Sequence, residues 1–266
     1  MVHIQSPDNP LVRRLRRMAE SPRACREAQR TIAEGLHLVE CVLAARVPIS
    51  AVVVSESATA TVRALAERAA QVGGVRVAEL SRPLYDSLAP VEHGAGILVE
   101  IAFARPELPA GQAVDAVYLD GVQDPGNAGT LLRTAAGAGV RHVAASTGTA
   151  FLWAPKVLRA AMGAHFAVSI YEDVAADRLA AAFHAERLAA DVGGVETLFA
   201  ASWGVQPTVW MFGAEGRGIS DEASVQAQRR LRIPIDGAVE SLNVAAAAAV
   251  CLFEQCRRRS SGTTGS

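Results

Sequence analysis

Five polar residues, Asn127, Arg133, Glu215, Ser241 and Asn243, stand in three separated segments of the chain: Asp120–Arg133 (DGVQDPGNAGTLLR), Met211–Ser220 (MFGAEGRGIS) and Arg232–Asn243 (RIPIDGAVESLN). Each segment follows an apolar run that reads as a strand, and the first and third lead into helix-like stretches. The set holds two amides, a carboxylate, a hydroxyl and a guanidinium. It includes neither a metal-type cluster nor a nucleophile–base pair. Such groups bind and stabilise charge through hydrogen bonds, which suits a site that holds a charged cofactor beside a ribose.

In the first segment a strand ends and Pro125-Gly126-Asn127 makes a turn. A helix is predicted over Gly129–Ala138, with Asn127 as a candidate N-cap. Gly126 and Gly129 let backbone approach a ligand, and Arg133, one turn beyond Gly129, is placed to reach an anion near the helix start. No Gly-Lys-Ser/Thr follows and no GxGxxG is present, which excludes a phosphate loop and weighs against a dinucleotide fold. Taken alone, an ordinary βα turn with a solvated Arg accounts for these residues equally well. In the second segment Gly213, Gly216 and Gly218 form a loop that admits a flat adenine or a ribose, and Glu215 either accepts hydrogen bonds from hydroxyls or braces the loop. In the third, Ser241 is a good N-cap for a final helix over Leu242–Arg257. Asn243 then falls in the first turn, where an amide is a mediocre helix former and invites a ligand. The run Ala245–Ala249 leaves that helix almost without bulk, which permits close packing.

These segments need a scaffold, and the chain provides one. It has 266 residues, half of them hydrophobic, enough for a sizeable core in one large domain or two modest ones. Residues 1–30 read as a polar entry and an Arg-rich helix, with seven Arg against three acids. Then a strand–helix series follows: a short apolar segment at Thr31–Ala33, a helix near Gly35–Ala45, strands at Ser50–Val54, Val75–Leu80 and Gly96–Ile101, and helices at Thr59–Val72 and Arg82–Leu88. Residues 105–112, with two prolines and a glycine, read as a linker. A second series has strands at Ala113–Leu119, His142–Ala145, Phe166–Ile170, Leu188–Asp191, Thr208–Phe212 and Leu231–Ile235. Its helices fit Gly129–Ala138, Pro155–Gly163, Ala175–Glu186 and Leu242–Arg257. Short apolar strands alternating with helices imply a mostly parallel sheet covered on both faces. The tail Ser260–Ser266 (SSGTTGS) is expected to be disordered.

Net charge is -1, so no global pull toward polyanions exists. The basic N-terminal stretch, with Arg13, Arg14, Arg16 and Arg17, is nevertheless a face that can engage RNA phosphates, or simply a solvated amphipathic helix. Lys156 is the sole lysine, a bias that base composition explains. The four Cys (25, 41, 251, 256) have no CxxC or zinc-type spacing, and the six His do not cluster with Cys or acids; no metal is expected. No signal peptide and no apolar run of membrane-spanning length are visible, so a cytoplasmic protein is expected.

With these segments in hand, the chain resembles the SpoU family of RNA ribose methyltransferases, within the SPOUT superfamily. Asn127-x-Gly129-x-x-x-Arg133 resembles the family's first motif, Phe212–Ile219 the second, and Ile233-Pro234-Ile235 through Ser241-Leu242-Asn243-Val244-Ala245 the third. Ser146–Phe166 is similar to the stretch between the first two, and residues 1–104 resemble, less distinctively, the small substrate-binding domain. The resemblance implies an α/β fold: a C-terminal trefoil-knotted parallel-sheet domain over 113–259 and a small N-terminal α/β domain over 1–104. It implies S-adenosyl-L-methionine held by Phe212, Gly213, Ala214, Glu215, Gly216, Ile233, Ser241, Leu242 and Asn243, and a homodimer packed through the knotted domains.

The implied reaction moves a methyl group to a ribose 2′-hydroxyl in RNA, ribosomal RNA before transfer RNA. Arg133 is the implied catalytic residue. An always-protonated guanidinium does not act as a simple base, so it is expected to anchor a phosphate and stabilise charge on the 2′-oxygen. Asn127, Glu215, Ser241 and Asn243 are expected to orient and complete the site, and Arg13, Arg14, Arg16, Arg17 and Arg133 to contact RNA. The alternatives are a non-catalytic RNA-binding or ribosome-assembly protein, a nucleotide-binding α/β enzyme such as a dehydrogenase and, within the class, a transfer-RNA or antibiotic-resistance methyltransferase.

Overall fold

Two compact units emerge from the computed structural model, which describes residues 1–89, 94–204 and 206–262. The first comprises Met1–Ala104 together with Trp153–Phe166, and the second Arg105–Leu152 with Ala167–Ser266.

In the first unit the strands are β1 (Val2–Ile4), β2 (Arg30–Glu34), β3 (Ile49–Ser55), β4 (Val77–Leu80) and β5 (Ile97–Ala102), in the order β1-β4-β3-β5-β2. The β1, β4 and β3 strands run parallel, and β5 runs antiparallel to both β3 and β2. Its helices are α1 (Pro10–Glu20), α2 (Pro22–Ala28), α3 (Leu36–Ala44), α4 (Ala60–Gly73) and α5 (Arg82–Asp86). Asn9 starts α1 by accepting the Leu11 amide at 2.9 Å, with Pro10 at the first helical position. Val12, Leu15 and Met18 then share one buried face.

The stretch Trp153–Phe166, which the sequence reading kept in the second series, packs with this unit for identifiable reasons. Thr31 Oγ1 donates to the Trp153 carbonyl at 2.7 Å, and Phe103 stacks on the Trp153 ring at 5.1 Å. Arg159 Nη1 lies 3.7 Å from the buried Glu34 carboxyl.

The second unit is built on a seven-stranded sheet whose strands are all parallel: β6 (Ala116–Asp120), β7 (His142–Ala145), β8 (Ser169–Tyr171), β9 (Glu186–Ala190), β10 (Glu196–Thr197), β11 (Thr208–Gly213) and β12 (Arg229–Arg232). The order is β10-β12-β9-β11-β6-β7-β8. The central β6 and β11 are buried along their whole length, as expected of parallel strands covered on both faces. The helices are α6 (Pro125–Gly137), α8 (Leu179–Ala182), α9 (Asp221–Gln226) and α10 (Val244–Gly262); α7 (Pro155–Ala161) belongs to the first unit.

Several expected boundaries move, each for a local reason. The α6 helix begins at Pro125 rather than Gly129, because Asp124, not Asn127, is the cap: its Oδ1 accepts the Asn127 amide at 2.7 Å. The α10 helix starts at Val244 and is capped by Asn243, not Ser241; Asn243 Oδ1 accepts the Ala245 and Ala246 amides at 2.9 and 3.3 Å. Residues 175–186 are not one helix but a 3₁₀ turn, the four-residue α8 and the start of β9. The last long strand is Arg229–Arg232, since Pro234 has no amide hydrogen for a ladder. Phe166 lies in a 3₁₀ turn and the strand begins at Ser169. The tail is helical through Gly262, and residues 263–266 lie outside the described residues, as does His93.

The α10 helix is fixed to the sheet at several levels. The buried Gln255 accepts the Trp210 indole N–H at 2.7 Å. Arg258 donates to the carbonyls of Leu198, Phe199 and Ala201 at 2.7–3.0 Å and covers the Trp203 ring at 4.5 Å. Arg259 pairs with Asp115 and donates to Gly204 and Gln206 carbonyls.

Candidate functional site

The sheet brings the second and third motif segments to one end of the second unit, and α6 brings the first. The β11 strand runs in register with β6, pairing Gly213 with Asp120. At the end of β6 the buried Asp120 accepts the Ser220 amide at 2.6 Å, which fixes the far side of the loop leaving β11. That loop is pinched: the Gly218 amide donates to the Ala214 carbonyl at 2.8 Å. A Cβ on Gly213 would land on the Gly218 carbonyl and the Ile219 amide, well inside contact distance. Gly218, at φ +71°, takes the left-handed backbone that side chains resist. Glu215 is thereby held out at the tip.

Three side chains meet there. Asn127 Nδ2 donates to Glu215 Oε1 at 2.9 Å, and Asn243 Nδ2 donates to the same oxygen at 2.6 Å and to Asn127 Oδ1 at 3.0 Å. Each comes from a different motif, 116 residues apart at the widest. The geometry divides the carboxylate: Oε1 takes two neutral donors, and Oε2 makes no hydrogen bond among the described residues. Asn243 does double duty, its oxygen capping α10 and its amide nitrogen holding the triad.

Beside the triad lies a pocket of ≈ 490 Å³, a size that accepts a nucleoside-like ligand. The loop Phe212–Gly216, residues Ile233 and Ile235, and Glu240–Val244 line it, with Ala190–Val192 as a further wall. All nine residues expected at a cofactor (Phe212, Gly213, Ala214, Glu215, Gly216, Ile233, Ser241, Leu242 and Asn243) sit on this lining. Three carboxylates border it, Asp191, Glu215 and Glu240, while no Lys, Arg or His does among the described residues. Asp191 is matched by Arg230, whose Nε lies 2.6 Å from Oδ2, and its Oδ1 accepts the Gly193 amide at 2.8 Å.

Ala190–Val192, Ile235 and Glu240 were not singled out in the sequence. Their available signal was the Asp191-Val192-Gly193-Gly194 step just after a strand. Gly194 packs there so tightly on β12 that a Cβ would come within 2.7 Å of the Arg230 carbonyl.

The structure does not bring Arg133 into this group. It is exposed on α6, six residues beyond Asn127, with no hydrogen bond or ion pair among the described residues. The four N-terminal arginines lie on α1 in the first unit, and they are not equivalent. Arg14 forks onto the fully buried Glu100, with bonds of 3.2 and 2.9 Å, and Arg16 donates to Ser87 at 3.3 Å. Arg13 and Arg17 are exposed. Among the described residues no group of three or more His, Cys, Asp or Glu is arranged to hold a metal, and no helix is long and apolar enough to cross a membrane.

The chain is similar in sequence and in fold to known RNA methyltransferases. The family model for the SpoU rRNA methylase family matches residues 116–253, and that for an MRM3-like substrate binding domain matches residues 9–99. An uncharacterized tRNA/rRNA methyltransferase of Synechocystis is 28% identical over 265 residues, covering 98% of this chain and 96% of that protein. The 23S rRNA guanosine 2′-O-methyltransferase RlmP of Bacillus subtilis is 34% identical over 155 residues, 56% of this chain and 60% of that one. Among solved structures, an AdoMet-bound rRNA methyltransferase of Sinorhizobium meliloti superposes with a TM-score of 0.84 at 25% identity, covering 96% of this chain and 97% of that one.

Proposed function

Because this chain belongs to the SpoU rRNA methylase family, and is on that footing an S-adenosylmethionine-dependent RNA 2′-O-ribose methyltransferase, we propose that the Asn127–Glu215–Asn243 triad and the pocket beside it are its active centre and that ribosomal RNA is its substrate. The observation that carries this reading is the meeting of three motifs on one carboxylate oxygen at the mouth of a nucleoside-sized pocket. When bound, S-adenosylmethionine supplies an electrophilic methyl group. The residues present suit it: the backbone of Phe212–Gly216, Ile233 and Leu242 offers amide and carbonyl groups to an adenosyl moiety, and the acidic border suits a cation.

The chain's own groups divide the remaining work. Asn127 and Asn243 hold Glu215 by Oε1, leaving Oε2 to accept a hydrogen bond from a substrate sugar hydroxyl. Ser241 and Leu242, near the end of the third segment, close the pocket wall. Arg133 stays protonated, so its part is to anchor the RNA phosphate next to the target ribose and to stabilise negative charge developing on the 2′-oxygen. A phosphate oxygen or water takes the proton. In this reading the first unit grips RNA through Arg13 and Arg17, which are exposed and make no ion pair among the described residues, while Arg14 and Arg16 are engaged by Glu100 and Ser87.

The reading extends to a trefoil knot in the second unit, supported by the packing of α10 over α6, β9 and β11. It extends as well to a homodimer through that unit and to action in the cytoplasm. Isothermal calorimetry with S-adenosylmethionine, and site-resolved 2′-O-methyl mapping of total RNA from a knockout against its parent, test it. One lost ribosomal RNA signal is expected. No cofactor heat and an unchanged map would overturn it.

A further inference from the structure

The pocket's border is lopsided in charge. Asp191, Glu215 and Glu240 line it, and among the described residues no cationic side chain does. The three are not alike. Asp191 is neutralised by Arg230, with its oxygens also committed to that guanidinium and the Gly193 amide. Glu215 is held by two amides, which are neutral donors that leave its charge uncompensated. Glu240 is exposed on the segment leading to Ser241 and makes no hydrogen bond or ion pair among the described residues. Two acidic residues without a cationic partner among the described residues, Glu215 and Glu240, therefore stand on the pocket lining.

The methyl donor and its product differ in charge at one atom. The donor carries a sulfonium, an ammonium and a carboxylate, one net positive charge in all. Once the methyl group has left with no electrons for the ribose oxygen, the sulfur is a neutral thioether and the product is a net-neutral zwitterion. The two molecules are otherwise nearly the same shape, so packing and backbone hydrogen bonds treat them alike. Charge is the property on which a pocket can separate them.

We propose that Glu240, acting with Glu215, makes this pocket charge-selective: it holds the cationic donor more tightly than the neutral thioether product, and so favours exchange of one for the other after each transfer. Glu240 is a specificity-determining residue in this scheme; it does not touch the reacting oxygen. The inference rests on the reading of the pocket as the donor site.

The test is calorimetric titration of wild-type protein and Glu240→Gln with three probes: S-adenosylmethionine, S-adenosylhomocysteine, and an analogue bearing a protonated amine in place of the methylsulfonium. A single carboxylate at the rim of a half-solvated pocket is worth on the order of threefold to tenfold in affinity for a cation. Glu240→Gln is expected to weaken both cationic probes by about that factor and to leave the neutral product within about twofold. Raising salt is expected to weaken donor binding more in wild type than in the variant, because the screened charge is the one removed. Equal weakening of all three probes would make Glu240 a loop-shaping residue and overturn the proposal, as would no change in any. Wild-type protein that binds none of the three would instead overturn the reading of the pocket itself. An unchanged melting temperature for Glu240→Gln is expected, since the side chain is exposed and unpartnered.

Discussion

Asn243 joins the helix cap to the triad, and two substitutions there separate these roles. Asn243→Ala removes the oxygen that accepts the Ala245 and Ala246 amides and the nitrogen that donates to Glu215 and Asn127. The lost cap costs about 1 kcal/mol, and the lost amide–carboxylate bond at this exposed position about 1 kcal/mol more. About 2 kcal/mol in a chain of this size lowers Tm by roughly 4–8 °C. Asn243→Asp keeps the capping oxygen, and a carboxylate is favourable at a helix N-terminus. It also sets that carboxylate where the Asn243 nitrogen now lies 2.6 Å from Glu215 Oε1. Two carboxylates in contact do not both ionise freely, so one folded-state pKa rises above its unfolded value of about 4. A raised acid holds its proton in the folded chain after the unfolded chain has lost it. Stability is then retained below about pH 4 and lost as pH climbs through the raised value. Thermal melts followed by circular dichroism at pH 4 and pH 8 should therefore show Asn243→Asp close to wild type at the lower pH and approaching Asn243→Ala at the higher. Equal losses for the two variants at both pH values would refute this assignment of Asn243.

Other outcomes follow from the same geometry. Arg133→Ala should lower single-turnover methyl transfer by orders of magnitude while leaving calorimetric cofactor affinity intact, because the side chain lies off the pocket lining; near-normal turnover would remove its assigned role. Gly213→Ala forces a methyl group into the Gly218 backbone and should cost about 2–3 kcal/mol in urea melts together with cofactor binding; a folded variant with normal affinity would contradict the pinched loop. Arg14→Ala should destabilise by about 1–3 kcal/mol, since it strips the fork from a fully buried Glu100 and leaves it Arg30 at 3.8 Å. Arg13→Ala and Arg17→Ala should leave Tm alone and instead each flatten the salt dependence of RNA binding by a little under one unit of slope; the reverse pattern would exchange their roles. Burial pushes the Glu34 carboxyl up to about 7, against the opposing pull of Arg159. The folded chain thus holds a proton that the unfolded chain sheds near pH 4.3. Stability due to that proton fades between about pH 4 and 7, so chemical melts should show Glu34→Gln gaining on wild type across that window and holding the gain above it; a pH-independent difference would refute the burial argument.

The residues that meet in the site were legible in the sequence because each motif carries its own strand, turn and polar residue. Asn127, Glu215 and Asn243 were named for their types, and the strand register of Gly213 with Asp120 is what joins them. Boundaries were less legible where two residues compete for one task. Asp124 and Asn127 both fit an N-cap, as do Ser241 and Asn243, and only the placement of Glu215 decides that Asn243 can cap and bridge at once. The allotment of Trp153–Phe166 to the first unit was hidden for a different reason: Thr31, Glu34 and Phe103, which receive it, are distant in sequence. Arg14 read as a free cation because nothing local reveals that Glu100, far along the chain, ends up buried beneath it.

The arginines near the end of α10 give that helix a second duty. Arg258 and Arg259 hold the carbonyls of a segment running from Leu198 to Gln206, while the opposite end of the same helix is the Asn243 cap. The helix is thus a strut with one foot in the triad and the other in a surface loop. Losing Arg258 and Arg259 would free those carbonyls and slacken the far end of the strut.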